Sequence, residues 1–236
     1  MVAFQSSVAI VQGFGVPGEI FLDGPTRAQP LLLDSADAAY NIIGATAFTV
    51  KSEGVAEAGG DGPFAGILAA PKSYASQGTA AAGTLAPTLT LPNDTVAEFV
   101  TMGQIIVTLP AAAAIGDIVL FDNTTGALST QAPSSSFTGV VATNTLTVSS
   151  FVAGGAPLKV GTVISGAGVT PGTVISALGT GTGGNGTYTV TGAATVSSTT
   201  MTGSSEAPSG KTKVPNATVD RYTVSGAGLG VITITD

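Results

Sequence analysis

Two glycine-rich stretches, two pairs of carboxylates and one Asp-Asn turn are the places in this sequence where chemistry could be done. Gly13-Phe-Gly15-Val-Pro-Gly18 has the G-x-G-x-x-G spacing that brings a helix N-terminus to a pyrophosphate, and Val8 to Val11 could be the strand before it. The chain turns again at Gly24-Pro25, too soon for the helix that such a site requires. Gly179-Thr-Gly181-Thr-Gly-Gly184 has the same spacing but leads into a strand pattern at Thr187, which makes it a hairpin turn. Asp34/Asp37 and Glu53/Glu57 are close enough in sequence for paired-carboxylate hydrolysis. The first pair sits where acids cap a helix start, and the second lies among Gly and Ala with no apolar setting to raise a pKa. Asp122-Asn123 could offer oxygens to calcium, yet the spaced acidic ladder of a calcium loop is absent and a turn is expected. The chain has no His, Cys or Trp, and no Ser-x-x-Lys to give a serine a lysine base, so nothing activates its many hydroxyls. Lys72, after Pro71, reads as a charge guarding a strand end. No catalytic, cofactor-binding or metal-ligating residue is expected, and no enzyme activity.

What remains must be elements and surfaces. At 236 residues the chain can bury a core without disulfides or metals. Charged side chains make up only 9%, against about a quarter in ordinary proteins. Such a surface is expected to be covered by copies of itself or by a larger partner. The net charge of −7, with seven scattered Lys and Arg, excludes a nucleic-acid partner. No apolar run is long enough for a membrane span, and Met1 to Gly13 lacks the basic start of a signal peptide, so a soluble protein made in a cytosol is expected. Four glycosylation-type triplets, at Asn93, Asn123, Asn185 and Asn216, are expected by chance in a Thr-rich chain.

Residues 1–65 read as an extended N-terminal arm with short strands, because turn signals at Gly13–Gly18, Asp23–Pro25 and Gly59–Pro63 leave no room for long elements. Leu31-Leu-Leu33 could lead into one short helix with Asp34 as N-cap. A strand is expected from Gly66 to Pro71, then hairpins in which Val96–Met102 and Ile105–Leu109 flank a Gly103-Gln104 turn. Ile115–Phe121, the Asp122-Asn-Thr-Thr-Gly126 turn and Ala127–Thr130 follow. Ala217–Val224 and Val231–Thr235 close the domain.

Between matching Ser/Pro loops at Gln131–Ser136 and Ser204–Gly210 lies a segment of different composition. Residues 139–203 hold one charged side chain, Lys159, and repeat Gly161-Thr-Val-Ile-Ser165 as Gly172-Thr-Val-Ile-Ser176. That segment reads as a small β-sandwich-like module inserted into a host loop, where insertion is cheapest. Tyr188 and Val190 should face its core, with Thr187, Thr189 and Thr191 in water. The host domain is then residues 66–138 plus 204–236, a β-barrel or jelly roll, and the fold class is all-β.

The host segments resemble the structural cement, or capsid decoration, proteins of tailed bacteriophages. The resemblance lies in Ala47-Phe48-Thr49, Phe64-Ala-Gly-Ile-Leu68, Glu98-Phe99 with Met102-Gly103, Gly116-Asp-Ile-Val-Leu120 with its Asn-Thr-Thr-Gly turn, and Val214-Pro-Asn-Ala before a closing hairpin from Arg221-Tyr to Ile234. The insert, from Gly172-Thr-Val-Ile through Gly-Thr-Tyr188-Thr-Val190, is similar to Gly/Thr-rich β-modules of phage surface and tail-fibre proteins. The resemblance implies a virion protein that binds the outside of the major capsid shell in many copies, as a homo-oligomer (dimer or trimer), with the major capsid protein as partner. The insert alone implies an alternative, a receptor- or glycan-binding component of a fibre or baseplate.

Overall fold

The computed structural model describes residues 15–21, 24–70, 90–221 and 224–235. Its regular elements are β-strands apart from a one-turn 3-10 helix, Ala38–Tyr40. Strands β2 (Arg27–Leu33), β4 (Val55–Ala58), β3 (Ala47–Ser52), β5 (Phe64–Leu68) and the first half of β6 (Val96–Leu109) pair in that order, and β6 pairs back with β2. They form a closed five-stranded barrel. So few strands enclose a narrow interior. Phe48 and Phe99 meet edge to face there with ring centroids 5.0 Å apart, and Ala56, Ala58, Ala65 and Ala97 leave them room.

The expectation of an extended arm over residues 1–65 therefore fails for its described second half: β2 to β4 and the start of β5 are barrel staves, and Leu33 and Phe48 are fully buried. Pro30 disguised β2 in the sequence, yet it lies where, among the described residues, β2 pairs with β6 alone and an N–H can be spared. The helix expected at Asp34 is likewise corrected. Leu31–Leu33 belong to β2, and it is Asp37 that caps the 3-10 turn, its Oδ1 accepting from Ala39 N–H at 2.8 Å.

A second correction concerns β6, which runs unbroken through the Gly103-Gln104 pair where a turn was expected. Its register with β2 ends at Met102 and its register with β14 (Gly228–Ile234) begins at Gly103, so the glycine marks the point where the strand changes neighbours. Gly103 has φ 117°, and a Cβ there would lie 2.9 Å from Thr26 Oγ1. Beyond it β6, β14, β13 (Lys211–Asp220), β7 (Ile118–Asp122) and β8 (Leu128–Gln131) continue the sheet, and the short β1 (Ile20–Phe21) pairs with β6 at Ile105 and Gln104.

This second sheet also curls shut. Residues 44–47 bridge its ends: Thr108 N–H donates to Gly44 O at 2.8 Å, Leu128 N–H to Ala45 O at 3.2 Å and Ala47 N–H to Gly126 O at 2.9 Å. Ile105, Val107, Val119, Phe121, Val219 and Ile232 fill the enclosed space.

The remaining strands are β9 (Ser134–Phe151), β10 (Ile164–Gly166), β11 (Ile175–Leu178) and β12 (Gly186–Ser204). They form a separate sheet around a core that includes Phe137, Leu146, Ile164, Ile175, Tyr188 and Met201, and this core shares no residue with the other two. β9 folds back on itself about Thr143, whose φ is 58°, so that Val152 N–H donates to Ser136 O at 2.9 Å. β12 shifts register at the same level, between Thr189 and Ala194. The two Gly-Thr-Val-Ile-Ser copies lie antiparallel with Val163 opposite Val174, and in each the Thr and Ile are buried (Thr162, Ile164; Thr173, Ile175). β10 pairs with the late half of β12 and β11 with its early half. Its strands begin at Ser134, earlier than the boundary at 139 read from the sequence, and Ser134 and Ser204 are paired partners at its base.

Candidate interaction surfaces

Among the described residues, several of the groups that could do chemistry are engaged locally. Gly13 lies outside the described residues, and Pro17-Gly18 turns into β1 instead of opening a helix, which removes the dinucleotide reading. Asp34 pairs with Lys51 at 2.8 Å on an exposed surface, and Glu57 lies 4.0 Å from the same ammonium. The hydrogen bond from Lys51 to Asp34 holds the lysine pKa up, but exposed pairs of this kind are worth little. Asp37 is spent on its cap.

Asp122 Oδ1 accepts from Thr125 N–H, Thr124 N–H and Thr125 Oγ1–H, and the two backbone donors hold its carboxyl below the ordinary aspartate value. The side chain of Asn123 is engaged by Asp61 and Thr212. This is an Asx turn that bends β7 into β8. Among the described residues no group of His, Cys, Asp or Glu could hold a metal ion. Lys72 lies outside the described residues.

The 179–184 glycine stretch is the expected turn, built around Tyr188. The phenol donates to Gly184 O at 2.7 Å and accepts from Gly183 N–H at 3.1 Å, and burial pushes its pKa up. Gly181 lies flat against the ring, since a Cβ there would come within 2.3 Å of Tyr188 Cζ. The module's one charge, Lys159, stands where the module meets the host, and burial together with nearby Lys211 lowers its pKa. Glu206 sits in the same place, 3.6 Å from Lys213, and Gln131 Nε2–H donates to Ser205 Oγ and Glu206 O at 2.5 and 3.1 Å.

What the molecule offers a partner is closed β surface. The exposed large apolar side chains of the described residues include Val16 ahead of β1, Val96 on the barrel (65% exposed), Ile115 on the second ring (57%), and Val140, Val152, Val160, Val163 and Leu178 on the module. A groove of about 210 Å³ lies over Gly103 between Pro25 and Ile234. Gln104 lines it, giving its Nε2–H to Asp220 while its buried Oε1 has no partner among the described residues. A second groove of about 200 Å³, lined by Tyr40, Ile42, Pro110 and Leu128, runs along the seam between barrel and second ring.

Sequence reading missed one polar cluster altogether. Asn41 is fully buried and receives Ser35 Oγ–H at 2.6 Å while giving its own amide hydrogens to Leu91 O and Asn93 Oδ1. Ser35 Oγ in turn accepts from Ala58 N–H at 2.8 Å. The signal was an Asn set among apolar residues ahead of Ile42-Ile43, but its partner Asn93 is far along the chain.

No curated protein matches this sequence. A family model does match, over a span that includes residues 4–65 as well as the later segments that carried the resemblance. It favours capsid cementing over a part in a fibre or baseplate. Residues 4–235 match the family model described as Structural cement protein (E217 gp24/Pam3 gp6), and the chain belongs to that family of structural proteins, which stabilise the phage capsid.

Proposed function

We propose that this protein cements the capsid from its outer face, bound to the major capsid protein and to neighbouring copies of itself, and that it does so without catalysis or covalent linkage. The observation that carries the reading is the surface: a closed β barrel and the sheets around it present hydroxyl-rich and apolar area with only 9% charged residues in the chain. Closing a barrel removes open strand edges that could pair with strangers, so a weakly charged β protein can stay dispersed until it meets a shaped partner. Docking then buries apolar and hydrogen-bonded area. About 1,600 Å² in a standard interface suffices for tight binding when it is well packed. A ligand of the assembled shell alone raises shell stability by mass action, by about 2.7 kcal/mol at a hundredfold excess over its dissociation constant. Many copies multiply that term.

The module, residues 139–203 with its base at Ser134 and Ser204, is assigned to display away from the shell, since its own core and its polar neck leave the host complete without it. Copy number tests the proposal. A quantitative gel of purified particles should give copies on the scale of the major capsid protein, and labelling of intact particles should reach the module. A few to dozens of copies per particle would point to a fibre or baseplate part instead.

A further inference from the structure

Asn185-Gly186 is the one Asn-Gly pair in the sequence, and it stands at the exposed turn that feeds β12. Asn-Gly is the dipeptide in which the following backbone nitrogen is least shielded, since no side chain stands beside it. Phe151 N–H donates to Asn185 Oδ1 at 2.8 Å. That bond polarises the side-chain carbonyl and stands ready for the negative charge that would develop on Oδ1, as an oxyanion donor does. Among the described residues nothing accepts from Asn185 Nδ2, the group that would have to leave.

The other asparagines lack this combination. Asn41, Asn93 and Asn123 have both ends of the amide engaged, and Asn144 and Asn216, though exposed, are followed by Thr and Ala.

We propose that Asn185 is a site of intramolecular deamidation in the folded protein. The Gly186 nitrogen attacks Asn185 Cγ, the N–Cγ bond forms and the Cγ–Nδ2 bond breaks. The proton from Gly186 N leaves with Nδ2 as ammonia. Water then opens the succinimide at one of its two carbonyls and gives aspartate or isoaspartate, so the net change is one amide hydrolysed with no oxidant or cofactor.

The product places a carboxylate in a module whose only charged side chain is Lys159. The isoaspartate form also lengthens the backbone next to Gly186, which is in register with Val148, and so strains the seating of Tyr188. The module would thus carry a slow chemical clock that the host domain lacks.

The test is peptide mapping of the full-length folded protein after incubation at neutral and alkaline pH, which needs no variant. Conversion at Asn185 should exceed that at Asn144 and Asn216 by about tenfold or more, a barrier difference of ~1.4 kcal/mol. It should also speed up with pH, because the attacking nitrogen must give up its proton. Equal rates at the three asparagines, or no conversion at Asn185, would overturn the proposal. Asn185→Ser should abolish the acidic species that accumulates in the wild type, and its persistence in that variant would place the reaction elsewhere.

Discussion

Two polar residues with no part in chemistry set the local geometry of the host. Asn41 plugs one end of the barrel, tying Ser35, Leu91 and Asn93 together in the interior. Asn41→Ala leaves those buried groups without partners and should cost ~2–4 kcal/mol, read as a lower urea midpoint by circular dichroism. Asp122 holds the β7–β8 turn through three hydrogen bonds to one oxygen. Its pKa in the folded chain is held below the ordinary 3.8, so its contribution is complete above that value and is lost as pH falls through the lower folded value. Asp122→Ala should therefore cost about 1 kcal/mol at neutral pH. The gap in melting temperature between the variant and the wild type should close in strong acid. A gap independent of pH would assign the effect to packing. The Asx turn was legible in the sequence because every atom it needs lies within four residues. The Asn41 cluster was not, because its partners are some fifty residues apart.

At the scale of elements the same division between local and distant causes separates what the sequence showed from what it hid. β7, its turn, β8 and the closing pair β13–β14 follow from alternation and turn chemistry. Tyr188 and Val190 are buried and Thr189 and Thr191 exposed, as a period of two requires, whereas Thr187, expected in water, is half-buried with its Oγ1 accepting from Thr180 N–H. The barrel staves between 27 and 65 were hidden by Pro30 and by dense turn signals: β2 and β5 are held by pairing with β6 far downstream, and β3 and β4 close the gap between those two. Gly103-Gln104 looked like a turn because glycine at positive φ is the usual turn signal, whereas here the glycine serves a handover of partners within one strand. Gly103→Ala should destabilise the protein by about 2 kcal/mol, through a strained backbone and a contact with Thr26. Serine at the same position should cost at least as much, because the added oxygen does nothing for φ. A neutral alanine variant, measured by urea unfolding, would show that the strand can change partners without the glycine. The interaction surfaces were legible only as a composition, since apolar residues at 96, 115 and 178 form no sequence motif.

For the whole molecule, three cores that share no residue suggest a division of labour between host and module. Excision of residues 134–204, which joins the loops after β8 and before β13, should leave a soluble protein that still binds capsids, because Ser134 and Ser204 are adjacent and the neck contacts are polar. Insolubility, or loss of capsid binding by this variant where the parent binds, would make the module part of the cementing fold. The measurement closest to the central claim is the melting of capsids with and without the protein at low and high salt. Contacts between weakly charged β surfaces depend little on screening, unlike contacts steered by opposite charges. Cemented capsids are expected to melt at a higher temperature by nearly the same margin at both salt concentrations. No stabilisation, or stabilisation that disappears in moderate salt, would contradict a cement built on buried apolar and hydrogen-bonded β surface.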